Sequence, residues 1–191
     1  MTLSDGASYR AKAPSTIELV GPLTWARLAF LIGLGTLTVF LHQRFHFPLK
    51  LPGHHGLEAM ALLTAGRLSC STRWAATIVG LSTGATALAV GAGHGVVDAG
   101  LDIAPGLCLD LFLAAFAGWR AHLFVLPAIV AVAFATKPLI RAVLHAGFGL
   151  EFGSLKAGLL FPFSTHLLFG LTGAAIAVAL WRITMRKLDQ K

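Results

Sequence analysis

The sequence predicts an all-α integral membrane protein, a bundle of six transmembrane helices with both termini cytoplasmic. Three observations predict it. Of the 191 residues, 56% are hydrophobic and only 12% charged, about half the charge fraction of an ordinary soluble domain. Mean hydropathy is +0.77, and the apolar residues gather in runs approaching the ~20 needed to cross a hydrocarbon core of about 30 Å. The basic residues, which give a net charge of +7, lie between and beyond those runs, where they meet anionic lipid and set topology. No basic stripe with interleaved aromatics is present, so nucleic acid is not an expected partner.

The chain divides into a cytoplasmic tail over residues 1–22, a transmembrane domain over 23–182 and a basic cytoplasmic tail over 183–191. A first span, about Thr24 to Leu41, is entered through Gly21-Pro22. The loop from His42 to Gly53 holds Pro48 and Pro52, which break helix and favour extended backbone before them. A short second span runs from His54 or His55 to Ser69, and Ser71-Thr72-Arg73 turn the chain into a third, Trp74 to Gly93. The glycine-rich stretch from Gly93 to Ile103 reads as a loop carrying His94, Asp98 and Asp102. A fourth span begins at Ala104-Pro105, since proline suits the first turn of a helix, and ends near Trp119-Arg120. The fifth runs from His122 through Pro127 to Thr136. The polar stretch from Lys137 to Lys156 is either an interfacial helix or the end of that span. The sixth covers Ala157 to Trp181.

With the N-terminus inside, the cytoplasmic segments hold Arg10, Lys12, Arg67, Arg73, Arg120, Arg182, Arg186, Lys187 and Lys191. The opposite side holds Arg44, Lys50, Lys137, Arg141 and Lys156. Nine against five favours both termini in the cytoplasm. Trp25, Trp74, Trp119 and Trp181 fall at span boundaries, as in an aromatic belt. Cys70 and Cys108 form no CxxC or CxxCH and read as free thiols.

The remaining ionisable residues collect on the outward side. His54, His55 and Glu58 are spaced to share one helix face. They suit a site for Zn, Ni, Co or Fe, or a polar ligand at a pocket mouth, or else a helix start with Glu58 at the positive end of the dipole. Asp110 is a carboxylate inside an apolar run, which defaults to a functional hypothesis: a ligand acceptor, or a core group bonded to a neighbour such as Lys137, Arg141 or His166. Lys137 and Arg141 are candidates for an anion-binding wall or for interfacial anchoring. His166 lies within the sixth span as a candidate ligand or proton-relay group. Small residues at four-residue spacing, Ala29 and Gly33, Gly80 and Gly84, Gly170 and Ala174, allow close helix approach. The first pair is also a candidate docking face for a partner.

The stretch Phe47-Pro48-Leu49-Lys50-Leu51-Pro52-Gly53, the helix Leu57–Leu68 after it, the run Ala104-Pro105-Gly106-Leu107-Cys108-Leu109-Asp110-Leu111 and the glycine-rich sixth helix from His166 to Ala174 carry a resemblance. They resemble segments of the substrate-binding S components of energy-coupling factor (ECF) vitamin and metal transporters, over about Trp25 to Arg182. The resemblance implies a subunit of the bacterial inner (cytoplasmic) membrane, not itself an enzyme. Such a subunit captures a vitamin-like molecule or divalent metal ion at the extracytoplasmic side for import, and a bound vitamin or divalent metal ion is the one cofactor the resemblance suggests. It also implies a transmembrane coupling protein and cytoplasmic ATPases as partners, and no Gly-x-x-x-x-Gly-Lys-[ST] loop occurs in this chain. Two other readings stand beside it: a haem- or quinone-binding redox subunit, and a structural or assembly subunit of a larger membrane complex.

Overall fold

A computed structural model describes residues 22–44, 51–92, 95–116 and 123–188. Within them the chain is all-helical, with six α-helices and no strand: α1 (Trp25–Arg44), α2 (Gly56–Ser69), α3 (Ala75–Ala89), α4 (Val96–Ala115), α5 (Leu126–Phe148) and α6 (Leu160–Leu188), with one 3-10 turn at Gly153–Leu155. The tail up to residue 21, most of the first prolyl loop, His94, and the Trp119–His122 connection lie outside the described residues.

Several boundaries differ from the sequence expectation. The stretch read as a glycine-rich loop is the first two turns of α4, which starts at Val96 and continues through Pro105. Of the two readings of the polar stretch after Thr136, the end of the fifth span holds as far as Phe148, with α5 also continuous through a proline, Pro138. It stops at Gly149, whose left-handed backbone (φ 68°) lets its N–H donate to the His145 carbonyl. The sixth helix starts at Leu160 and runs past Trp181 to Leu188, into the segment assigned to the tail. His54 and His55 sit in the turn preceding α2, not on it.

Three helices, α1, α5 and α6, are each long and apolar enough to cross a membrane, as in a membrane protein. The other three fall short of the expectation of six for identifiable reasons. α4 has the length but carries Asp98, Asp102 and Asp110. α2 and α3, with 14 and 15 residues, extend only about 21–23 Å at 1.5 Å per residue.

The helices close into a ring. α1 packs on α2 and α3, α3 on α4, α4 on α5, α5 on α6, and α6 returns to α2. α2 also touches α3 and α5, and Ser69 is its one exposed residue. Leu31, Leu63, Val79, Leu109, Val130 and Phe134 form the shared core. Outside, Phe30 and Phe40 of α1, Leu81 of α3, Leu111 of α4, Val132 of α5 and Leu168 and Leu180 of α6 are exposed, whereas soluble monomers rarely expose large contiguous apolar patches.

Small residues set the closest approaches. A Cβ on Gly35 would strike the Val79 carbonyl of α3, one on Gly106 the Ala76 carbonyl, and one on Gly84 the Ala99 carbonyl of α4. Gly170 and the fully buried Ala174 likewise seat α6. Between α1 and α3 the backbones are near enough for Ser82 Oγ to donate to the Ile32 carbonyl at 2.8 Å and for the Thr36 and Thr86 hydroxyls to meet at 3.2 Å. Two of the three small-residue pairs therefore serve packing within the bundle. Ala29 and Gly33 instead face outward, with open space at Gly33.

Candidate functional site

Successive helices alternate in direction, so the C-terminal ends of α1, α3 and α5 share one end of the ring with the N-terminal ends of α2, α4 and α6. At this end lies a cavity of about 230 Å³, to which each helix contributes; His42, Met60, Thr83, Pro105, Lys137 and His166 are one lining residue from each. The volume lies below the roughly 300–1,000 Å³ typical of drug-sized ligand pockets. It suits a small polar solute or an ion with part of its hydration shell.

Three groups of side chains meet there. The first joins the end of α1 to the start of α2. His55 Nδ1 donates to Glu58 Oε1 at 3.2 Å, and His42 Nδ1 lies 4.0 Å from the same oxygen. The His42 and His55 ring centroids are 3.5 Å apart. One ligand atom from each of His42, His55 and Glu58 falls within 4.8 Å of the others. Glu58 occupies the first turn of α2, where the helix dipole favours a carboxylate. His54 belongs to the cluster only through its ring, 3.7 Å from that of His55. Its Nδ1 donates to the Leu51 carbonyl at 2.7 Å, which corrects its place in the predicted metal set. His42 takes that place. The available signal was the antiparallel order of the first two spans, which puts the end of α1 and the start of α2 on the same side.

The second group is a two-rung ladder between antiparallel α4 and α5. Lys137 Nζ donates to Asp102 Oδ1 at 2.6 Å, and Arg141 lies 3.4 Å from Asp98 Oδ1 and also donates to Ser154. The spacing of four residues on each helix puts both rungs on facing stripes. Lys137 and Arg141 do line the cavity, as predicted for a wall, but their charges are met by aspartates from within the chain. In this arrangement both cations are ion-paired within the chain.

The third is His166. It is 3% exposed, its Nδ1 donates to the Pro162 carbonyl at 2.7 Å, and its ring lies 4.6 Å from that of Phe134. With the proton held at Nδ1, the neutral imidazole keeps its lone pair on Nε2. The Pro52-Gly53 turn closes over it. Gly53 has φ +81°, and a Cβ there would fall 2.6 Å from His166 Nδ1, so both backbone and space require glycine.

Asp110 is not part of this site. It lies toward the opposite end, 2% exposed, where its Oδ2 accepts from the Thr77 N–H at 2.7 Å and the Thr77 hydroxyl at 2.8 Å. Thr77 is the third residue of α3, whose first N–H groups have no partner within the helix. The carboxylate supplies one from across the interface. Its partner is thus Thr77 rather than Lys137, Arg141 or His166, which fits the second of the two sequence readings, a core group bonded to a neighbouring helix. The same end holds Arg67, 1% exposed, whose guanidinium donates to the Cys70 and Thr72 carbonyls and ties down the turn between α2 and α3. Burial pushes the thiol of Cys70, in that turn, up from its usual value, against the pull of Arg27 and Arg67. Both cysteines are free thiols.

No family model, curated protein or solved structure matches this chain.

Proposed function

We propose that this protein is a membrane-embedded solute-binding subunit, similar in plan to an S component. On this reading all six helices cross the bacterial inner membrane, both termini are cytoplasmic, and a small polar solute or cation is captured from the extracytoplasmic side for import. The observation that carries the reading is the cavity to which every helix contributes at one end of the ring, lined by His42, His55, Asp98, Asp102, Lys137 and Arg141, with Glu58 beside the two histidines. The distribution of charge supports the orientation. Arg67, Arg73, Arg182, Arg186 and Lys187 lie at the opposite end, as the positive-inside rule expects of a cytoplasmic face. The short helices are not an obstacle, because α2 is enclosed by other helices and α3 is flanked by α1 and α4, and irregular backbone at membrane depth is tolerated where protein covers it.

Import against a gradient requires energy that this chain has no nucleotide-binding loop to collect. A transmembrane coupling protein and cytoplasmic ATPases are the partners the reading calls for, with the outward Ala29/Gly33 face of α1 as the docking surface. The small cavity favours this reading over a haem- or quinone-binding subunit, whose ligand would need more room.

The test is mass spectrometry and elemental analysis of the protein purified in mild detergent, followed by binding measurements with what is found. The expected result is a small solute or metal ion at about one per chain. Protein that retains nothing and binds neither metal ions nor a small-molecule library, yet co-purifies with a stoichiometric membrane partner, would be a structural subunit instead.

A further inference from the structure

We propose that His42, His55 and Glu58 form an exchangeable site for one late first-row divalent metal ion (Zn²⁺, Ni²⁺ or Co²⁺), and that this ion is the cargo. The second half rests on the capture reading above. The first half stands on geometry alone.

Two imidazoles and a carboxylate are the donor set that borderline-soft ions prefer, whereas Mg²⁺ and Ca²⁺ require oxygen ligands throughout. With bonds of about 2.0–2.2 Å in tetrahedral geometry, neighbouring ligand atoms stand roughly 3.3–3.5 Å apart. The 3.2 Å and 4.0 Å separations from Glu58 Oε1 bracket that figure, so seating an ion takes side-chain adjustments rather than backbone movement. The proton that His55 now shares with Glu58 is the one a metal would displace. Glu58 is 15% exposed and held by the start of α2, whereas the His42 and His55 side chains are 47% and 33% exposed. One anchored carboxylate and two accessible imidazoles allow an ion to enter and leave.

Three protein ligands leave a fourth position open, unlike the closed four-ligand shells of structural zinc. His42 and His55 both line the cavity, and His166 lines its wall with its lone pair kept on Nε2. An ion at the rim therefore has the cavity beside it, with the His166 imidazole in its wall. The nearby ladder holds two acids and two bases, so it adds no net positive charge to repel a cation.

The test uses full-length protein, stripped with chelator in detergent and dialysed against Zn²⁺, Ni²⁺ or Co²⁺ alone, with bound metal measured. Wild type is expected to bind one ion per chain, with Co²⁺ giving the visible absorption of a nitrogen- and oxygen-ligated site. His42→Ala, His55→Ala and Glu58→Gln should each weaken binding about tenfold or more, since even outer-shell changes cost 10–100-fold. His54→Ala should bind as wild type. Metal-free unfolding temperatures check that each variant is folded, and His42→Gln replaces any alanine variant that is not. No binding by wild type, or equal binding by His42→Ala and wild type, overturns the site. An organic solute retained without metal overturns the site while leaving the capture reading standing. Metal bound with the expected dependence, but not accumulated by cells producing the protein, keeps the site and removes its role in import.

Discussion

Asp110 illustrates how a single buried charge is held. Its Oδ2 takes two hydrogen bonds from Thr77 at the start of α3, and losing the carboxylate leaves a buried N–H without its partner. Such a loss costs about 1–3 kcal/mol. Asp110→Ala is expected to lower stability by that amount in detergent unfolding measurements, and Thr77→Val should recover little more when combined with it. Because Asp110 lies away from the cavity, Asp110→Asn is expected to leave metal or solute binding unchanged; weakened binding would return it to the site. The sequence identified Asp110, His55, Glu58 and His166 as residues needing an explanation, because polar groups stand out in apolar surroundings. It could pair only His55 with Glu58, from their spacing. Whether a carboxylate meets a ligand or a helix N-terminus depends on which helix lies opposite, and no local pattern encodes that for Asp110.

At the level of elements, α4 is where reading by local pattern failed, and its ladder with α5 explains the failure. Glycines and two aspartates ahead of Pro105 look like a loop, and the polar stretch from Lys137 to Lys156 left an interfacial helix and the end of the fifth span both open. Facing each other, Asp98 with Arg141 and Asp102 with Lys137 offset the charges that each helix alone would carry among apolar neighbours. Each half makes sense only beside the other. Both rungs are partly shielded, so each is worth on the order of 1 kcal/mol. A double-mutant cycle on Asp102 and Lys137 is expected to give a coupling of that size, with a smaller one for the longer Asp98–Arg141 rung. A coupling indistinguishable from zero in the first pair would mean that the rung does not hold the helices together. The helices with simple apolar patterns, α1, α3 and α6, were legible to within several residues, because periodicity alone sufficed.

For the molecule as a whole, the number of helices and the gathering of histidines at one end followed from hydropathy and spacing. The ring order, and hence which small residues face inward, did not. Gly33 and Gly35 are two residues apart on α1 and read alike, yet Gly35 sits against the α3 backbone while Gly33 meets open space. Gly35→Val is expected to destabilise the protein by about 1–3 kcal/mol, the usual cost of overpacking. Gly33→Leu should fold and bind its solute as wild type while losing any partner that docks on that face. Unfolding temperature and co-purification separate the two effects; equal destabilisation by both would place Gly33 inside the bundle.

The prolines within α4 and α5 carry a shared consequence. The ladder brings Leu101 level with Pro138 and Phe134 level with Pro105. Proline has no N–H to give the carbonyl four residues earlier, so α4 lacks its bond to Leu101 and α5 lacks its bond to Phe134 across the same slab of the bundle. Two adjacent helices thus each lack one backbone hydrogen bond in the same layer, beside the cavity wall, with the Asp98–Arg141 rung joining them farther out. On its inner side that layer is lined by the cavity residues Pro105 and Phe134.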